Sequence, residues 1–418
     1  MKKSSKKRII YKNIILFLFI LVVVIMFIFV FGNKEDKLIY MIDTVNMDIN
    51  DVNEMLEQYK LNININYEYS DIYEKDKVIS QSIGKDIVIN NGDELSLVVS
   101  LGKLDKDKLR HDLINELGKV PIMMYHGIKN MKNSETDYVG GNVDKDGYTR
   151  TAEAFRNDLE TYYQKGYRMI KLSDYINGII DVEYGYSPII LTFDDGNDNN
   201  IKVTGLDDDG NNIIDKNSAV GILEEFKKKY PDYNVTAIFF VTNNLFNQSE
   251  YDDKIIKWLV DNGYEVGNHT RGHDNFSKID NSKTQEVVGY MYDKLESIIG
   301  NKYSKIVALP FGSPYNKNHD NYKYIINGSY NGVEYQTDAA LRVGWEPEIS
   351  PFNKDFDKTF LKRCRAYDNN GVDFDIEMTL RILDKNRYIS DGNVDTVVTN
   401  NENSDIINNS ISKKIILY

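Results

Sequence analysis

The sequence predicts an α/β chain: a parallel barrel or doubly wound sheet beyond residue 119, preceded by a small α+β unit and a membrane-spanning helix. Three observations carry this. Short apolar runs ending in polar residues alternate with helical stretches over residues 120–395, one helix followed by alternating segments occupies residues 43–101, and residues 14–31 are unbroken apolar sequence. Alternating strand and helix is the pattern of parallel sheets, whose strand C-termini share one face and carry the chemistry. With 418 residues, 41% hydrophobic and 28% charged, the chain is long enough for more than one folded domain. Its single Cys364 forms no internal disulfide and no zinc knuckle, so a metal here must rest on the five His and the carboxylates.

Six of the 51 basic residues, Lys2, Lys3, Lys6, Lys7, Arg8 and Lys12, precede the apolar run with no acid among them, leaving 45 bases against 64 acids in the rest. An acidic body excludes nucleic acid as a partner, since phosphate binding needs clustered cations. The 18 apolar residues that follow extend about 27 Å as a helix, close to bilayer hydrocarbon thickness. Residues 13–32 are therefore expected to anchor the chain in the cell membrane as a single pass, with residues 1–12 in the cytoplasm and everything beyond Gly32 extracellular. A cleaved signal peptide is the competing reading, but no Ala-x-Ala pattern ends the run.

After a linker at 33–42, Ile49, Val52, Leu56 and Tyr59 recur at helical spacing behind Asp48, a suitable N-cap. Leu61, Ile63, Ile65, Tyr67 and Tyr69 then alternate with polar residues as a half-buried strand does. A second strand is expected near Val78 and Ile79, and a hairpin joining 87–89 to 95–99 through Asn90, Asn91 and Gly92. This order, with KVISQS at 77–82 and DELSLVVS at 93–100, resembles the PASTA domain of penicillin-binding proteins and cell-wall-sensing kinases. The resemblance covers residues 43–102 and implies contact with peptidoglycan; a spacer role is the alternative. Leu109, Leu113 and Leu117 share a stripe, predicting a connecting helix over 103–118, with His111 solvated on it.

In the large domain, 119–395, apolar runs end at His126, at Asp194 and Asp195, at Thr242, at Asn268 and His269, and at Pro310, with helices expected over 152–165, 219–229, 255–262 and 283–299. His269 and His273 (HTRGH) are spaced to hold one divalent ion on a tight loop or helical turn, with a carboxylate from another strand completing the set. Asp194 and Asp195 (TFDDG) are adjacent, so their side chains diverge: one suits a metal and the other a general base, though Asp caps at a strand-to-helix turn give the same letters. Asp207, Asp208, Asp209 and Gly210 read as a hairpin turn and not as a calcium loop. Residues 396–418 read as a polar tail with a last strand near 415–417.

TFDDG, HTRGH, LPFG at 309–312 and MMYHGI at 123–128 together resemble the polysaccharide deacetylases of the carbohydrate esterase class, with a NodB-like domain, over residues 120–395. The resemblance implies a distorted (β/α) barrel of about seven strands. It implies Asp194 as general base, Asp195, His269 and His273 as ligands of one divalent metal, most simply Zn²⁺, and the Phe311 N–H, between Pro310 and Gly312, at the oxyanion. The expected reaction is metal-dependent removal of acetyl groups from a cell-wall polysaccharide, foremost the N-acetyl groups of peptidoglycan. An O-acetyl esterase and a catalytically inactive wall-binding protein are the alternatives. Three departures from the family stand out: Ala308 stands where the family has an Arg, Leu341, Arg342, Val343 and Gly344 stand where it has an Asp shortly before the Trp matched by Trp345, and no His follows His319 to serve as the acid. Arg342, Arg363 and Arg365 are the candidates for the lost charge, and His126, at a strand end, is the expected substitute acid against a purely structural role. Tyr125 and Trp345 are candidates for stacking on sugar, and Arg365 for binding it.

Overall fold

The computed structural model describes residues 38–418 and resolves two compact units, the first ending at Leu104 and the second comprising Asp105–Tyr418. In the first, β1 (Ile39–Tyr40) precedes α1 (Ile49–Leu56), whose first turn is capped by the Asp48 carboxylate accepting from Asn50 N–H. Then come β2 (Asn62–Glu68), β3 (Val78–Gln81), β4 (Val88–Ile89) and β5 (Glu94–Ser100). Strand β5 is central, parallel to β2 and antiparallel to β3, and Leu95, Leu97 and Val99 pack from it against Val52 and Leu56 of α1. The expected hairpin is corrected: β4 pairs with β1, not with β5. The turn between them is the reason. Asp93 accepts from Asn90 N–H and Gly92 donates to Lys60 O, which turns the chain toward β2.

The connecting helix expected over 103–118 is also corrected, being only Lys106–His111 with Asp105 as its cap. Leu113 takes a left-handed backbone (φ 58) and is 68% exposed, so no apolar stripe exists to extend the helix. Asn115, Lys119 and Val120 pair instead with Ile389, Arg387 and Glu348.

Seven strands form a parallel half-barrel in the second unit: β6 (Ile122–Tyr125), β7 (Ser187–Phe193), β8 (Ile238–Val241), β9 (Glu265–Asn268), β10 (Ile306–Ala308), β11 (Ala339–Leu341) and β12 (Cys364–Arg365). Their order is β11-β10-β9-β8-β7-β6-β12, every pair parallel. The seam is spanned by one extended segment: Leu361 pairs with Leu341, and Cys364 with Met123. Helices α2 (Ala152–Gln164), α3 (Ala219–Lys229), α4 (Asp252–Asp261), α5 (Asn281–Ile299) and α6 (Ile376–Asn386) follow the amphipathic stretches of the sequence.

Alternation along each strand sorts side chains into two cores. Ile122, Ile190, Ile238, Phe240, Ile306 and Ala308 fill the barrel, while Met123, Tyr125, Leu191, Phe193, Phe239 and Val241 meet the helices. Residues 203–214 form the expected hairpin, with Asp207 bracing its turn by accepting from Asp209 and Asn211 N–H. Residues 396–418 are structured: β13 (Thr396–Thr399) pairs in parallel with β14 (Lys414–Leu417), and buried Glu116 accepts from Val398 N–H and Tyr388 OH.

The membrane helix in the expected fold is not found among the described residues. Among the described residues, no helix is long and apolar enough to cross a membrane. The longest, α5, has 19 residues but carries Lys283, Glu286, Asp293, Lys294 and Glu296. The segment expected to span, 13–32, lies outside the described residues.

Truncating fully buried Leu97 to Ala should cost about 2–5 kcal/mol, a large fraction of what a unit of ~60 residues can hold. Hydrogen exchange of the full chain is expected to speed up across 38–104 while amides of the half-barrel keep their protection.

Candidate active site

The pocket lies where β6, β7, β9 and β10 end. Parity explains how its side chains converge: Thr192 and Asp194 continue the barrel-facing set of β7, and His269 follows Gly267 on the inner side of β9. Asp195 leaves the strand with φ 75, beside Gly196 (φ 65), where an added Cβ would lie 1.9 Å from Leu245 O. HTRGH is a tight loop, with Thr270 (φ 64) and His273 (φ 57) both left-handed. Asn268 holds it by donating to Val288 O and accepting from Thr270 N–H. Strained backbone of this kind persists only where its surroundings enforce it.

Asp195, His269 and His273 meet there, with candidate ligand atoms all within 4.8 Å of one another. Asp195 Oδ1 is 3.1 Å from His269 Nε2 and 3.4 Å from His273 Nε2. His269 Nδ1 lies 2.9 Å from Ala308 O; a proton on Nδ1 satisfies that carbonyl and leaves the Nε2 lone pair for a metal. The set fits a divalent cation: two imidazoles, one carboxylate, and a second-sphere bond that fixes the tautomer. Burial pulls the His269 pKa down, yet the charges of Asp194 and Asp195 raise it above its ordinary value. The same negative field favours a bound cation.

Asp194 is buried and held by a fork from Arg363, Nη1 to Oδ1 and Nη2 to Oδ2, each 2.7 Å. Arg363 is itself fully buried, and also donates to Thr192 Oγ1 and the Arg342 carbonyl. Of the three arginines considered for the missing charge, the structure brings Arg363 to Asp194. It arrives on the seam segment, facing inward by alternation with Leu361. Burial alone would push the Asp194 pKa up; the Arg363 charge outweighs it and keeps the carboxyl well below the usual range.

His126 follows β6, lines the pocket and meets Tyr148 edge to face at 4.8 Å. Burial lowers its pKa, with the Asp194 and Asp195 charges partly offsetting. Asn200 donates to the His126 carbonyl and Asn199 accepts from Ile128 N–H, tying the end of β6 to the loop after TFDDG. The cavity, about 310 Å³, is completed by Tyr148, Leu309, Phe311 and Val343. Pro310 and Gly312 form the tight turn that presents Phe311 (φ 59), whose ring meets His273 at 4.5 Å.

Three expected substrate residues lie elsewhere. Tyr125 is turned to the helix side by the alternation of β6, with its hydroxyl between Asp158 and Tyr162 of α2, so it cannot stack on a sugar. Trp345 and Arg365 line a neighbouring cavity. His319 sits in a loop accepting from Asn321 N–H and His111 is exposed beside Asp112; neither lines the pocket. Tyr148 and Val343 were not singled out by sequence reading, because neither carries a motif and both arrive on loops.

Replacing Arg363 by Ala leaves the Asp194 carboxylate buried and unpaired, which should destabilise the second unit by about 3–5 kcal/mol. Arg363→Lys should recover only part of this, since an ammonium cannot repeat the two-bond fork. Urea unfolding of the three proteins measures both differences.

Comparison with known proteins gives two family matches, one in each unit. Residues 182–324 match the polysaccharide deacetylase family model and residues 39–101 the PASTA domain. No curated protein matches the chain in sequence. Among solved structures, the chain is similar to the deacetylase PplD of Streptococcus pyogenes in complex with acetate, at 16% identity and TM-score 0.44 over 62% of this chain and 97% of that one. It is also similar to a de-N-acetylase from Aggregatibacter actinomycetemcomitans, at 14% identity and TM-score 0.38 over 59% and 94%. A three-PASTA-domain structure of a Staphylococcus aureus Ser/Thr kinase is matched at 14% identity and TM-score 0.15 over 32% and 81%. The chain thus carries a PASTA domain followed by a polysaccharide deacetylase domain, and is an enzyme of the polysaccharide deacetylase class.

Proposed function

We propose that the enzyme hydrolyses N-acetyl groups of a cell-wall glycan, peptidoglycan foremost, outside the cytoplasm, with one divalent cation, most simply Zn²⁺, held by Asp195, His269 and His273. The observation that carries this is the meeting of that triad with an ionised, arginine-held Asp194 in one small pocket. The PASTA domain supports a wall polymer as the substrate. When bound, the cation supplies Lewis acidity and lowers the pKa of water.

The chain's own groups do the rest. Asp194 accepts a proton from the attacking water as the water oxygen bonds to the acetyl carbon. Fixed as a carboxylate by Arg363, it is a weak base, sufficient only for an acidified water. The Phe311 N–H stabilises the negative carbonyl oxygen in the tetrahedral stage. As the carbon–nitrogen bond breaks, His126 gives a proton to the sugar nitrogen, and the products are acetate and the free amine. Burial makes its imidazolium a stronger acid but a scarcer one. An O-acetyl ester is the second reading, favoured by that scarcity, because an alkoxide leaves with less protonation than an amine anion.

The full chain incubated with N-acetylated peptidoglycan is expected to release acetate, read by mass spectrometry. His269→Ala should lose stoichiometric metal and acetate release together; full metal content in that variant would place the cation elsewhere.

His126→Gln tests the acid. It should slow N-acetyl hydrolysis by about 10²–10⁴-fold and activated aryl acetates far less, since their leaving groups need little protonation. Equal slowing of both substrates would make His126 a positioning residue.

A further inference from the structure

We propose that Tyr148 is a positioning residue for the reaction: its ring, packed on the His126 imidazole, holds that imidazole in place in the metal pocket. The proposal rests on the deacetylase reading above.

The need for such a residue is visible at His126. A histidine that moves protons is ordinarily oriented by a hydrogen bond at its second ring nitrogen. His269 has one, from Nδ1 to Ala308 O. At His126 the carbonyl accepts from Asn200, but among the described residues no group hydrogen-bonds the ring. The contact that this ring does make is with Tyr148, edge to face, with centroids 4.8 Å apart and planes at 72°, inside the range in which aromatic pairs attract.

Tyr148 is itself fixed on both flanks and on its ring. Gly127–Lys129 pairs in parallel with Thr149–Thr151, Gly127 against Thr149, so the register carried one residue back sets Tyr148 opposite His126. Arg150 locks that pairing by a fork on buried Asp158, Nε to Oδ2 at 3.1 Å and Nη2 to Oδ1 at 2.6 Å. On the other flank the Asp144 carboxylate accepts from Asp146, Tyr148 and Thr149 N–H, and Gly147 (φ 67) closes the turn so near Tyr367 that an added Cβ would lie 2.6 Å from it. The Arg365 guanidinium lies 5.1 Å from the Tyr148 ring centre and donates to the Asp146 carbonyl, tying ring and turn to β12. Register, turn and cation thus give Tyr148 a set place, and the aromatic contact passes it to a histidine that has no hydrogen bond on its ring.

The test compares the full chain with Tyr148→Leu, Tyr148→Phe, His126→Gln and the double variant Tyr148→Leu, His126→Gln in acetate release from N-acetylated peptidoglycan. Tyr148→Leu should lower kcat roughly two- to tenfold with KM held, the worth of one aromatic contact, and Tyr148→Phe should restore the wild-type rate because it keeps the ring. In the His126→Gln background the Leu substitution should change nothing further, since the two side chains act as one. Equal losses in the Phe and Leu variants would make the phenol the acting group. A raised KM at constant kcat would make Tyr148 a substrate contact, and a full Leu effect without His126 would separate the two residues; each of these overturns the positioning role. If the wild-type chain releases no acetate, the deacetylase reading fails, and the order of the ring decides. With histidine labelled at ¹³Cε1, the His126 signal, known by its loss in His126→Gln, should broaden in Tyr148→Leu and keep its width in Tyr148→Phe, the remaining histidine signals serving as the check on folding. A His126 signal as narrow in Tyr148→Leu as in the wild type overturns the proposal.

Discussion

The site depends on one buried ion pair. Asp194 and Arg363 are both removed from water, and neither is tolerable there alone, since an unpaired charge in the interior costs several kcal/mol. Their fork joins the end of β7 to the segment that spans the barrel seam, so the contact that ionises the carboxylate also fixes the last strand against the first. Asp195, the next residue, then leaves the strand in a left-handed turn toward His269. Charge state, seam and ligand direction follow from the same pairing.

What was legible in the sequence is what local pattern and motif encode. TFDDG and HTRGH lie at strand ends, and parallel strands deliver such ends to one face, so the triad and Asp194 were nameable before any coordinates. The helices of the second unit likewise follow their apolar periodicity. Arg363 was one candidate among three because its partner is 169 positions away, and nothing local tells which arginine faces inward. Counting alternation from Leu361 puts Arg365 on the same side as Arg363, so parity alone does not choose between them. Tyr125 was misplaced for the same reason: its neighbour His126 reaches the pocket, while the strand's alternation sends Tyr125 to α2.

Pairing choices were the other blind spot. Residues 87–99 contain a plausible hairpin turn, yet β5 gains more by sitting between β2 and β3, where Leu95, Leu97 and Val99 reach α1. The leucine stripe at 109, 113 and 117 looked helical because spacing alone ignores competing partners. Backbone pairing of Asn115, Lys119 and Val120 with distant segments takes that stretch out of helical conformation. In each case a long-range contact outweighed a correct local signal.

The position of Arg363 in the chain has a further consequence for the order of synthesis. Asp194, Asp195, His269 and His273 are all made before it, and Arg363 emerges ninety residues after His273 (363 against 273). Until then the growing chain holds a carboxylate with no counter-charge at the end of a strand whose neighbours are otherwise apolar. That carboxylate opposes closing of the core around it. The seam segment therefore acts as a late key: Asp195, His269 and His273 are made early, but the environment around them is set by one of the last strands of the barrel to be made.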